Sequence, residues 1–338
     1  MKSESANSPP AFVVVVGSSA GGLTALTELI SQLKEGMNAA IFIVMHLSRK
    51  GIGDFLVHRL QQYTSLPCAI GTNDQPIKKG HVYIAPPNQH LLLKENRMII
   101  GKGPEENRWR PSIDVLFRSA AVAYGNHAIG IILTGLLDDG TAGMWAIKNC
   151  GGTCVVQDPN EAEYPEMPLS VLSHIEADYC ISLSEMGFTL QELTKNGLAK
   201  KIEIPEHIAK EAMIAEKTAT GIDVLNGFAP QTVYACPDCG GAMWTLAQEG
   251  ITRYRCHIGH AYTENDLLLK QASNLESTLW VALRMMEDRK NLLNKLANSA
   301  ENRGATSLAS VHKEKATALR EHIDKLKEIL FSTQENNP

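Results

Sequence analysis

Val13-Val14-Val15-Val16-Gly17-Ser18-Ser19-Ala20-Gly21-Gly22 is the stretch that decides how this chain reads. Phe12 to Val16 is an unbroken apolar run, mostly β-branched, as a buried parallel strand requires. Small residues follow at once. Leu23, Leu26, Leu29, Ile30 and Leu33 then recur on one helical face across residues 22–34. The segment is therefore strand, tight turn, helix. The same alternation repeats along the chain. Ala40 to Met45 is a second strand, with a helix expected around 52–63. Val82 to Ile84 is strand-like, and Leu91–Leu93 and Met98–Ile100 flank Lys94 to Arg97 as a hairpin would. A helix is expected over 113–124, after Pro111 and a candidate N-cap at Ser112. Ile129 to Leu133 reads as strand, 141–149 as helix and 153–156 as strand, with a further helix starting near Pro168. Such alternation predicts an α/β fold with a doubly wound, mostly parallel sheet. In these sheets ligands bind beyond the carboxyl ends of the strands, so chemistry is sought there.

The remaining sequence divides differently. Residues 191–232 have a weaker pattern and read as a connector. Lys195 to Lys201 is polar, and Ile208 to Ala219 forms a helix. Residues 233–263 hold a cysteine cluster. From 264 to 335 the pattern is strongly helical, with Leu268, Leu275, Leu279, Ala282, Met286, Leu293 and Leu296 recurring every three or four residues. A polar break at Asn302–Ala305 then predicts a helical hairpin.

Composition narrows the function classes. With 44% hydrophobic and 20% charged residues over 338 positions, wholesale disorder is excluded and about two domains are expected. A net charge of −5 supplies no global drive toward nucleic acid or an acidic membrane surface, so neither partner is expected. No run approaches the roughly 18 apolar residues of a membrane span. Met1 to Pro10 has Lys2 as its only basic residue and no apolar core, unlike a secretory signal. A cytoplasmic location is expected. In that reducing setting Cys68, Cys150, Cys154 and Cys180 read as buried free thiols.

The turn after the first strand fits G-x-S-x-G, with Ser19 in the serine position. A serine on a tight turn projects its hydroxyl above the sheet, and the helix that follows offers unpaired N–H groups to an oxyanion. A dinucleotide fingerprint fails, because Ser19 stands where the second glycine belongs. A phosphate loop fails for want of Gly-Lys-Ser/Thr. Nucleotide binding is therefore the weakest reading. His46 directly follows the second strand, and Asp138 and Asp139 follow the strand ending at Leu133. Taken singly, the histidine could be structural and the aspartates plain caps of helix 141–149. Taken together, all three positions lie just beyond strand ends. The order Ser, His, Asp differs from the Ser, Asp/Glu, His order of α/β-hydrolases.

These residues resemble the CheB-type protein-glutamate methylesterases of bacterial chemotaxis. The blocks are Gly-Ser-Ser-Ala-Gly-Gly at 17–22, Val-Met-His-Leu around His46, Ala-Pro-Pro-Asn-Gln-His at 85–90, Arg-Pro-Ser-Ile-Asp-Val-Leu-Phe at 110–117 and Leu-Thr-Gly-Leu-Leu-Asp-Asp-Gly at 133–140. The resemblance spans a catalytic domain over 11–190. It implies Ser19 as nucleophile, His46 as general base, Asp139 as the orienting carboxylate, and backbone N–H groups of Ala20 and Leu136 as the oxyanion site. No cofactor is implied for catalysis. The implied substrate is a methylated chemoreceptor cytoplasmic region, with glutamine deamidation as a second reaction of the same site. The family usually has methionine then glycine where this chain has Leu136 and Leu137, and threonine in place of Ala20. The best-known members begin with a receiver domain. Here the catalytic segment starts at residue 11, so control by phosphorylation in cis is not expected.

Cys236-Pro-Asp-Cys239 and Cys256-His257-Ile258-Gly259-His260 give C-x2-C, sixteen residues, then C-x3-H. This spacing predicts a structural Cys3His zinc ribbon, with a short hairpin between the ligand pairs. His257 would have to turn back sharply beside Cys256, so His260 is the expected fourth ligand. The tail helices would pack on each other or dock a signalling partner. The alternative to an active esterase is a weak or inactive signalling scaffold that works through the ribbon and the tail helices.

Overall fold

The computed structural model describes residues 9–46, 53–195, 202–216, 222–227, 229–248 and 250–334. Most of the N-terminal polar segment, Leu47 of the second block, residue 52 of the second expected helix, residues 196–201 and residues 217–219 of the connector helix lie outside them.

The strands β1 (Phe12–Ser18), β2 (Ala39–Met45), β3 (Cys68–Ile70), β4 (Val82–Ile84), β5 (His90–Lys94), β6 (Arg97–Gly101), β7 (Ala128–Ile132), β8 (Thr153–Gln157) and β9 (Tyr179–Ile181) alternate with helices. The helices are α1 (Gly22–Ser31), α2 (Gly53–Gln61), α3 (Ile113–Tyr124), α4 (Thr141–Asn149), α5 (Glu166–His174) and α6 (Leu183–Lys195). Seven strands form one sheet in the order β3-β4-β2-β1-β7-β8-β9, and every adjacent pair is parallel. The chain winds outward from β1 on one side and returns to β7 on the other. The crevice at the carboxyl ends beside β1 is thus the switch point of the sheet. β5 and β6 pair antiparallel as a separate hairpin. The two three-residue edge strands, β3 and β9, carry too short an apolar pattern to be read from sequence.

β1 is buried throughout because both faces are covered. Val13 and Val15 face a layer that includes Ile113, Phe117 and Met144. Val14 and Val16 face Leu26, Ile30, Met186 and Leu190. Of the four cysteines expected inside, Cys150 and Cys154 are buried, whereas Cys68 on edge strand β3 is half-buried and Cys180 on edge strand β9 is exposed. Helix α3 is unusual in that ten of its twelve residues are buried, including Asp114, Arg118 and Ser119. Those polar groups therefore need partners.

The connector contributes α7 (Glu206–Glu216) and α8 (Ile222–Asn226). Next come β10 (Gln231–Ala235), β11 (Ala242–Gln248), β12 (Ile251–Cys256) and β13 (Ala261–Thr263). They form a four-stranded antiparallel sheet where sequence suggested one short hairpin. Residues 1–264 make one compact unit, so the ribbon belongs with the parallel sheet. Residues 265–338 make a second unit of two helices. These are α9 (Glu264–Asn302), most of which lies in this unit, and α10 (Thr306–Gln334). Glu301 pairs with Lys313, and Glu287 with Lys327, so the two helices run antiparallel. Leu283, Ala297, Ala300, Ala309, Ala316, Ile323 and Leu330 are buried in the hairpin, while Leu268, Leu275 and Leu296 of the expected stripe stay exposed.

Gly140 ends the loop after β7 with φ +105°, and a Cβ there would stand 2.5 Å from Ile132 Cδ1 and 2.9 Å from Ile113 Cγ2. Gly140→Ala combines left-handed strain with overpacking and should lower the unfolding free energy by about 2–4 kcal/mol. Denaturant titration reads this as a lower midpoint with an unchanged slope.

Candidate active site

The site is assembled where β1, β2 and β7 end. β1 and β2 pair in register up to Ser18 and Met45, and the His46 N–H donates to Ser18 O at 3.1 Å. On the other side the Ser19 N–H donates to Thr134 O at 3.1 Å. Ser19 therefore sits between His46 and the loop that follows β7. A Cβ built on Gly135 would lie 2.9 Å from Ser19 Cβ, so only glycine lets that loop pass so close to the serine. Neither the Ala20 nor the Leu136 N–H donates a hydrogen bond among the described residues.

His46 and Asp139 meet: His46 Nε2 lies 2.8 Å from Asp139 Oδ2, with both side chains buried. The Ser19 hydroxyl makes no hydrogen bond to the imidazole among the described residues, and buried His46 Nδ1 has no partner. Asp138, the neighbouring candidate, does not reach the histidine. Its carboxyl is raised by burial and hydrogen-bonded by Thr263.

Asp139 accepts four further donors. They are Asn107 Nδ2 at 2.9 Å, Ser112 Oγ at 2.9 Å, Ile113 N at 2.8 Å and Asp114 N at 3.2 Å. Two of these N–H groups open helix α3, so Asp139 caps that helix from a distant loop. Ser112 stands at the N-cap position expected from sequence but makes no capping bond to its own helix, because its hydroxyl is turned to Asp139. Asp114 returns the arrangement by accepting the Gly140 N–H at 3.0 Å and the Gly143 N–H at the start of α4. The bland assignment of Asp139 as a cap of helix 141–149 is thus replaced by a reciprocal exchange between α3 and α4. Burial opposes the charge of Asp139, but the His46 contact, the Ile113 N–H and Asn107 outweigh it and hold the carboxyl below its usual range. Asp114 is pushed the other way by burial and by the nearby Asp139 charge. One amide, Asn107 Nδ2, bridges the two carboxylates at 2.9 and 2.7 Å.

The loop 103–112 also brings Trp109, whose ring stacks on His46 at 4.1 Å and 6°. Asn107 and Trp109 escape a sequence reading. Their only signal is a polar and aromatic cluster just before the Arg110–Phe117 block. His90, at the end of its block, is buried and shifted down by burial. Its Nε2 lies 2.8 Å from Pro104 O, and its Nδ1 receives the Ser112 N–H at 3.3 Å, so it props both ends of the loop. Leu137 takes the left-handed conformation, φ +66°, that the family's glycine would adopt without strain. Its N–H donates to Glu166 Oε2 at 2.9 Å, which helps hold the loop.

In the ribbon, one ligand atom each from Cys236, Cys239, Cys256 and His260 lie within 4.8 Å of one another. Cys239 Sγ is 3.7 Å from Cys256 Sγ, and Cys256 Sγ is 3.5 Å from His260 Nδ1. Thiolates on a tetrahedral zinc-sized ion stand about 3.8 Å apart, and a thiolate and an imidazole nitrogen about 3.5 Å. The donor set therefore fits a metal ion. His257 is outside this group and meets Trp244 edge-on.

A buried, histidine-linked carboxylate at the carboxyl edge of a parallel sheet lies beside a serine on a strand-to-helix turn, an arrangement in keeping with a carboxylic ester hydrolase. Residues 14–190 match the family model described as CheB methylesterase, and the chain belongs to that family. A Leptospira interrogans protein, provisionally named protein-glutamate methylesterase/protein-glutamine glutaminase, is 36% identical over 56% of this chain and 97% of its own length. Protein-glutamate methylesterase/protein-glutamine glutaminase 1 of Xanthomonas oryzae is 36% identical over 52% of this chain and 50% of its own length. The crystal structure of the Thermotoga maritima CheB methylesterase catalytic domain matches with a TM-score of 0.53 and 33% identity, covering 54% of this chain and 98% of that one.

The lowered Asp139 contributes stability that is fully present above its unfolded value of about 4 and lost as pH falls through the lower folded value. Thermal unfolding followed from about pH 5 down to about pH 2 should show a falling midpoint in the wild type and a shallower fall in Asp139→Asn.

Proposed function

We propose that this protein hydrolyses γ-methyl esters of glutamate on the cytoplasmic regions of chemoreceptors, through a Ser19–His46–Asp139 triad carried by a catalytic domain at 11–190. The buried His46–Asp139 bond beside the Ser19 turn carries the reading. Ser19 Oγ attacks the ester carbonyl carbon, and His46 Nδ1, the ring nitrogen left over by Asp139, takes the hydroxyl proton. Ala20 and Leu136 N–H groups receive the oxyanion, and neither donates a hydrogen bond elsewhere among the described residues, which suits that role. The carbonyl reforms, the ester C–O bond breaks, and His46 gives its proton to the departing methoxide, so methanol leaves. Water, deprotonated by the same imidazole, then cleaves the glutamyl-serine ester. A glutamine side chain would follow the same course with ammonia as the leaving group. Ser19 turns toward His46 when substrate binds, since catalytic hydrogen bonds often close only in the complex.

The ribbon at 233–263 holds a structural zinc through Cys236, Cys239, Cys256 and His260, and the connector at 191–232 joins it to the catalytic domain. All four positions are filled by protein, so the metal would stabilise the fold rather than bind substrate. The helical pair at 264–335 keeps Leu268, Leu275 and Phe331 exposed, which suits a helical signalling partner. No described helix is long and apolar enough to cross a membrane, in keeping with a cytoplasmic protein.

Methanol release from a methylated receptor fragment tests the reading. Ser19→Ala should fall to background, and Asp139→Asn should lose about 10³–10⁴-fold in kcat. No release by the wild type, together with no labelling of Ser19 by a fluorophosphonate, sinks the esterase reading and leaves the scaffold. Metal analysis should find one zinc per chain, and none in Cys239→Ser.

A further inference from the structure

We infer that the cysteine ribbon is a positioning element for the active site, acting through Arg255 and Glu106 on the loop that carries Asn107 and Trp109. The inference rests on the triad reading above. The loop from 103 to 112 reaches the reacting groups twice, by Asn107 on Asp139 and by Trp109 on His46. Its backbone is strained, with Asn107 at φ +50° and Arg108 at φ +67°, so it needs support from outside.

That support comes from the ribbon. Arg255 Nη2 of β12 donates to Glu106 Oε1 at 2.6 Å. The Asn107 N–H donates to Ala261 O of β13 at 2.9 Å. Both ribbon residues adjoin metal-site residues: Arg255 precedes Cys256, and Ala261 follows His260. The four-ligand cluster therefore fixes the spacing between the two points that grip the loop.

The grip is completed by a buried charge cluster drawn from the loop itself, α3, α7 and β12. Arg118 of α3 reaches Glu106 Oε2 at 2.6 Å and Glu211 Oε1 of α7 at 2.8 Å. Arg253 of β12 reaches Glu211 Oε2 at 2.5 Å. All five side chains are at most 4% exposed. Without the ribbon, two carboxylates would share one guanidinium, and Glu106 would be free to shift with its loop. Asn107, the next residue, would move with it.

The test is a double-mutant cycle in the full-length protein as purified with its metal, using methanol release and the rate of fluorophosphonate labelling at Ser19. Arg255→Met should lower kcat about tenfold or more with KM changed less than about twofold, and should slow labelling in parallel. Arg255→Lys should recover most of the loss. Asn107→Ala should lower kcat by about a hundredfold, and adding Arg255→Met should lower it no further than about threefold, because both act through one contact. If Arg255→Met does not stay folded, the isosteric Glu106→Gln enters the same cycle with the same expectation. An unchanged kcat in the single variants, or losses that multiply in the double variant, overturns the inference. Failure of the wild type to release methanol or to label at Ser19 overturns the esterase reading instead, so the two failures are distinct.

Discussion

A single buried carboxylate, Asp139, organises this protein. It lies at the end of the loop after β7 and takes hydrogen bonds from His46, Asn107, Ser112 and the first two N–H groups of α3. An ionised carboxylate without such partners would be costly to bury. With five donors it becomes the point at which a strand end, a helix start, a loop and the histidine are held together. The same contacts fix the imidazole, and its other nitrogen, Nδ1, makes no hydrogen bond among the described residues.

The second constraint is the buried cluster of three arginines and two glutamates. Ion pairs of this kind gain little over apolar packing, but removing one partner typically costs about 3–5 kcal/mol, since a buried charge is left uncompensated. The cluster forces α7, α3, the loop at 103–112 and the ribbon into one arrangement. A ribbon of about thirty residues has too little core to hold itself. Its strands gather the cysteine cluster at one end and are held along one side by Arg253 and Arg255.

The loop from Thr134 to Gly140 shows how a sequence departure is absorbed. Leu137 in the left-handed region costs about 1–2 kcal/mol relative to glycine. The Glu166 carboxylate on its N–H, the Gly135 N–H on Tyr164 O and the Asp114 carboxylate on the Gly140 N–H offset that cost. The backbone path close to Ser19 is thereby kept.

Several features were readable in the chain because they are local. Apolar runs of five to seven residues followed by helical periodicity reveal a parallel sheet, since both faces of each strand must be apolar. Ser19 and His46 follow strand ends directly and Asp139 lies in the short loop after β7, so the parallel fold brings them to one edge. C-x2-C and C-x3-H spacing makes a ligand cluster legible for the same reason. Contacts between distant partners left no such local trace. Asn107 and Trp109 sit in a loop with no periodicity. Ser112 looked like a local cap until Asp139 drew its hydroxyl away. Glu106 and Arg255 are 149 residues apart, and each reads as an ordinary surface charge in sequence. Local pattern records backbone state and burial of a face. A buried charge is tolerated only where a partner arrives, and that arrival is a property of the folded chain.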